Sequence, residues 1–155
     1  AYAGDTYGEA DLTTMFPGSG GAGVWYGASS PGSGGNGAGL IFMGVQDLTV
    51  VSASSISAIG ASTAAWATGT WTYGAGGGAG GTVWIMADTM TVPAGAVSAV
   101  GGDGETTHTR EGGNGGEGRI RLDTNEINGY MVTASAATTA ANSACDPDAG
   151  YFDAP

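Results

Sequence analysis

Gly80-Gly81-Thr82-Val83-Trp84-Ile85-Met86-Ala87-Asp88-Thr89-Met90-Thr91-Val92-Pro93-Ala94-Gly95-Ala96-Val97-Ser98-Ala99-Val100-Gly101-Gly102 is the stretch on which the fold turns. Val83, Ile85 and Ala87 alternate with Thr82, Trp84 and Met86, so one face of a strand is apolar throughout. Asp88 and Pro93-Ala94-Gly95 break the chain twice, which predicts three short β-type runs with glycine on both sides.

A copy lies upstream, from Gly39 to Gly60. Ile41, Met43 and Val45 align with Val83, Ile85 and Ala87, and Leu48-Thr49-Val50 aligns with Met90-Thr91-Val92. Ile56-Ser57-Ala58-Ile59-Gly60 then matches Val97-Ser98-Ala99-Val100-Gly101 after one inserted residue. Three blocks matched in order make an internal repeat. A weaker third copy begins at Arg119, with Ile120 and Leu122 in the alternating positions and Ile127 in that of Met90.

Each unit has three short strands and two tight corners, followed by a glycine-rich excursion. The expected fold is therefore all-β, a short parallel β-helix (β-solenoid) with long glycine-rich loops. Stacking would place Ile41, Val83 and Ile120 in one interior row. The alternative is a β-sandwich in which the same runs pair antiparallel. No helical periodicity of useful length occurs, and Thr, Val and Gly disfavour helices.

The 155 residues read as one domain. Residues 1–16 form an N-terminal arm, 17–129 the repeat core and 130–155 a Thr/Ala/Ser-rich C-terminal tail. Glycine supplies 32 residues, about three times its ordinary share. Leu, Ile, Val and Phe together supply only 22 of 155. With a net charge of -11, that composition lies on the side of disorder. Order in such a chain requires dense backbone hydrogen bonding, bound cations, or burial against copies of itself. Glycine permits close backbone approach, so the glycine-rich runs are read as packed extended segments rather than flexible linkers.

The chain has no lysine, and Arg110, Arg119 and Arg121 are its only fixed cations. Such a surface repels nucleic acid and anionic membranes. The apolar runs are too short to span a bilayer, so neither nucleic acid binding nor membrane insertion is expected. The acidic, Thr/Ser-rich character suggests an extracellular or cell-surface location after removal of a signal peptide. Cys145 is the single cysteine. It excludes an internal disulfide, and leaves a buried thiol, a free thiol or pairing across chains.

Tyr7-Gly8-Glu9-Ala10-Asp11-Leu12-Thr13 followed by Phe16-Pro17-Gly18-Ser19-Gly20-Gly21 resembles the opening of glycine-rich repeat regions in large bacterial surface proteins. The run from Gly78 to Gly104 and the run Gly112-Gly113-Asn114-Gly115-Gly116-Glu117-Gly118-Arg119-Ile120-Arg121-Leu122-Asp123 carry the same likeness. It covers most of residues 7–123, and residues 130–155 lie outside it. The resemblance to such adhesin-like or filament-forming proteins implies an extracellular structural or adhesive role. It brings no catalytic residues.

Candidate chemistry is sparse. Asp103 and Glu105 flank a glycine, and Asp146 and Asp148 flank a proline. Close carboxylates with loop carbonyls suit Ca²⁺, the one cofactor the residues suggest. Neither an EF-hand loop nor the glycine-aspartate nonapeptide is present, and solvated loop carboxylates are the simpler reading. Trp66, Trp71 and Tyr73, with Trp25, Tyr26 and Trp84, are candidates to stack on sugar rings. The simpler reading is that these rings cover glycine-rich backbone. His108 lacks the second base, nucleophile or metal partner of a catalytic site, and no Gly-x-Gly pattern opens a helix. No enzymatic activity is expected.

Two good repeats and one poor one are near the minimum for a solenoid, and its ends expose strand edges. The leading functional expectation is a structural subunit that assembles with copies of itself into a filament, sheath or surface layer by end-to-end β-stacking or strand addition. The alternative is a carbohydrate-binding adhesin module whose partner is a surface polysaccharide. Ice binding is disfavoured because regular threonine ladders are missing.

Overall fold

The computed structural model describes residue 12 and residues 14–26, 30–51, 55–63, 74–93, 95–105 and 111–127. Its strands are β1 (Val24–Tyr26), β2 (Ser30–Gly32), β3 (Leu40–Thr49), β4 (Ile56–Ser57), β5 (Thr82–Thr91), β6 (Val97–Ser98) and β7 (Arg119–Ile127). The fold of these residues is all-β. No helix among them is long and apolar enough to cross a membrane.

The repeat copies lie side by side. β3, β5 and β7 form a three-stranded sheet in that order, and β4 pairs with β6 in a second sheet. Both sheets are parallel, with Ile41 beside Val83, Val83 beside Ile120, Leu48 beside Met90 and Ile56 beside Val97. These are the pairs that the sequence repeat aligns. The antiparallel sandwich does not provide them. Among the described residues the one antiparallel pair is the small ribbon of β1 and β2.

The break expected at Asp88 is a change of phase within one ten-residue strand, β5. Neither ladder pairs Asp88, and the buried positions pass from Val83, Ile85 and Ala87 to Met90 and Val92 across it. The second corner comes at Pro93–Ala96, where the Ala96 amide donates to the Pro93 carbonyl at 3.1 Å. Gly95 adopts φ 76° there, a left-handed conformation that glycine takes without a side-chain clash.

The core follows from the alternation. Val83, Ile85 and Ala87 are completely buried, as are Val97 and Ala99 from the second sheet's copy, and Met90, Ile120 and Leu122 close around them. Each large side chain removed from water in this way contributes about 1.5–3 kcal/mol. Leu12, at the end of the N-terminal arm, is also buried. The Thr82 hydroxyl donates to the Phe16 carbonyl at 2.8 Å, fastening the arm to the start of β5.

The described glycine-rich segments make a second hydrogen-bonded body of backbone and are not loops in the ordinary sense. Six consecutive amides, Gly76 to Gly81, donate in turn to the carbonyls of Ala22, Gly113, Ala61, Ser19, Gly116 and Ala58. Each neighbour is therefore met again after three residues, the period of the polyproline II helix. Gly35 and Ala38 donate to Gly76 and Ala79, while Gly102 and Glu105 donate to Gly78 and Ala75. Segment 74–81 is thus hydrogen-bonded to five others, residues 17–23, 32–39, 58–63, 99–105 and 111–118.

Glycine is required in this lattice because backbone packs on backbone. A Cβ on Gly78 would lie 2.0 Å from the Asn36 carbonyl oxygen, and one on Gly35 would lie 2.0 Å from that of Ala61. None of these glycines has positive φ. Close approach alone selects the residue. The lattice supplies the dense backbone hydrogen bonding that this composition needs for order.

Candidate functional site

Burial is lopsided across the three-stranded sheet. Ile120 and Leu122 on β7 are 4% and 3% exposed, almost as covered as their counterparts on β5. On β3 the equivalent row, Ile41, Met43, Val45 and Leu48, is only partly buried, as is Ile56 on β4. Leu40 and Phe42 are 47% and 60% exposed on the other face of β3. Among the described residues only β5 pairs with β3. The candidate site is therefore the β3 edge with the apolar side chains around it.

Phe42 has a built support. The register places Phe42, Trp84 and Arg121 side by side across the sheet. The Phe42 and Trp84 rings meet edge to face with centroids 5.2 Å apart at 76°, the arrangement favoured by the aromatic quadrupole. Arg121 lies over the Trp84 ring at 4.7 Å, a cation–π contact. The Trp84 Nε1–H donates to Asp123 Oδ2 at 2.7 Å, and the Arg121 Nε–H reaches both Asp123 oxygens at 3.0 and 2.8 Å. The Asp123 carboxylate is buried, and these bonds offset the cost of its desolvation.

Glycine shapes the same edge. Gly44 follows Phe42 on the outward face, is exposed, and has nothing within 4 Å of where a Cβ would stand. Beyond it the Thr89 hydroxyl donates to Asp47. From Leu40 to Gln46 the strand carries no charged residue, and Asp47 is the one charge between Asp11 and Asp88.

The other predicted residues are dispersed or lie elsewhere. Asp103 is exposed, and its amide donates to Ser62 Oγ at 2.9 Å. Glu105 is buried, and its backbone bonds Ala75 and Gly112. Among the described residues no group of three or more His, Cys, Asp or Glu converges to hold a metal ion. Asp146, Asp148, Trp66, Trp71, Tyr73, His108 and Cys145 lie outside the described residues. Phe42, Arg121 and Asp123 were not singled out from the sequence. The repeat alignment carried the signal, because pairing Ile41 with Val83 and Val83 with Ile120 also sets Phe42 and Arg121 on either side of Trp84.

No protein-family model, curated protein or solved structure matches the chain.

Proposed function

We propose that this chain is a non-enzymatic extracellular structural subunit, a short parallel β-solenoid that joins copies of itself through the β3 edge. The observation that carries this reading is the half-covered apolar row of β3. An exposed ten-residue edge strand with Leu40 and Phe42 beside it is a template for strand addition unless something covers it. The charge-free run Leu40–Gln46 lets two acidic chains meet without placing like charges together. A filament, sheath or layer needs a second contact elsewhere on the molecule, and the β3 edge supplies the first.

Sedimentation velocity of the full chain over a hundredfold concentration range tests this reading. The expected result is concentration-dependent association that is weakened by Phe42→Asp, with an unchanged far-ultraviolet circular dichroism spectrum. A monomer at every concentration would overturn it.

A second reading, the carbohydrate-binding module, is favoured by one feature, the exposed ring of Phe42. Trp84 offers less, since Arg121 and Phe42 already occupy it. Glycan-array binding that disappears with Phe42→Ala, while Phe42→Trp retains it, is the expected outcome of that reading. An empty array would remove it.

A further inference from the structure

We infer that two copies of this chain pair β3 to β3 in antiparallel fashion about a two-fold axis at Met43, forming a closed dimer. The inference rests on the self-association proposed above and adds its symmetry and register.

Head-to-tail stacking requires two complementary open ends. Among the described residues β3 and β7 are both sheet edges, but they differ at the level of the apolar row: Ile120 and Leu122 on β7 are buried, while Ile41, Met43 and Val45 on β3 are partly covered. A single open surface that meets its own copy does so isologously, and an isologous contact closes. Antiparallel pairing is also slightly the more stable ladder per residue.

The residues of β3 select the register. Side chains directly opposite in a ladder share a face, so the inner row must meet the inner row. Centring the pair on Met43 sets Ile41 opposite Val45 of the second copy, and Leu40 opposite Gln46. It also sets Phe42 opposite Gly44. The Phe42 ring is 60% exposed, and the space over Gly44 is empty. An aromatic ring lying over a cross-strand glycine covers backbone that glycine itself leaves bare.

Charge agrees with this. No ionised side chain falls within the paired run Leu40–Gln46, and Asp47 comes to lie opposite Gly39 of the second copy, away from its own equivalent. A short paired run of this kind predicts a weak, concentration-dependent dimer.

Sedimentation equilibrium and oxidative cross-linking of the full chain test the inference. Wild type is expected to pass from monomer to dimer as its first association step. Gly44→Lys, which places a long charged side chain where Phe42 would lie and whose Cβ meets nothing within 4 Å in its own chain, is expected to raise the dissociation constant at least tenfold. In a Cys145→Ser background, Met43→Cys is expected to give a covalent dimer on oxidation. Leu40→Cys alone gives none, but does so when mixed with Gln46→Cys. Cross-linking of Leu40→Cys with itself, or no covalent dimer from Met43→Cys, would overturn the two-fold pairing and leave self-association standing. A monomer at all concentrations would overturn both.

Discussion

A single methyl group added at Gly78 would sit 2.0 Å from the Asn36 carbonyl oxygen, and neither group can move aside without parting two hydrogen-bonded segments. Gly78→Ala is therefore expected to cost about 3 kcal/mol or more, at the upper end of overpacking effects. Gly116 is the control. Nothing lies within 4 Å of its would-be Cβ, so Gly116→Ala is expected to stay within about 0.5 kcal/mol of wild type, or to gain slightly from a stiffer unfolded chain. Urea denaturation of the two variants checks the contrast, and equal midpoints would contradict the lattice. Trp84→Phe keeps a ring beside Phe42 and Arg121 but removes the Nε1–H that donates to buried Asp123. A loss of about 1–2 kcal/mol is expected in the same assay.

At the scale of elements, the strands differ in how much each position contributes. Ile85 is completely buried at the centre of β5, so Ile85→Ala is expected to cost about 2–5 kcal/mol. Ile41 occupies the equivalent row on half-covered β3, and Ile41→Ala should cost less than half as much in the monomer; thermal melts of dilute samples measure the ratio. The strand positions were legible in the sequence because stacked repeats demand matching apolar volumes at matching places, which Ile41, Val83 and Ile120 display. Asp88 was legible as a break, but its form was not: the strand continues, neither ladder pairs Asp88, and the buried face passes from Ala87 to Met90. The glycine segments were read as packed, but their order was not. Glu111-Gly-Gly-Asn114-Gly-Gly-Glu117 shows a non-glycine residue at every third place, and Ser33 and Asn36 repeat the spacing with exposed side chains. That period of three was the available sign of the lattice. The β3 edge was foreseen only as an unspecified strand end. Which end lay open depends on packing that no local pattern encodes.

The whole molecule combines a small apolar core with a lattice of peptide groups, under a net charge of -11. With three arginines against fourteen acids, self-repulsion opposes folding. Raising sodium chloride from 10 to 150 mM should screen it and lift the melting temperature by roughly 2–4 °C, the shift that corresponds to about 1 kcal/mol in a domain of this size. Differential scanning fluorimetry reads this directly, and a falling melting temperature would show that attractive ion pairs dominate instead. The lattice around residues 74–81 has a thermal consequence of its own. Unfolding it exposes amides and carbonyls with few hydrocarbon groups, and polar exposure lowers the heat capacity that apolar exposure raises. The heat-capacity increment of this chain should therefore fall below the usual ~12–15 cal/mol/K per residue. Its stability curve should be correspondingly flat, so that cooling weakens this protein less than it weakens one held together by oil.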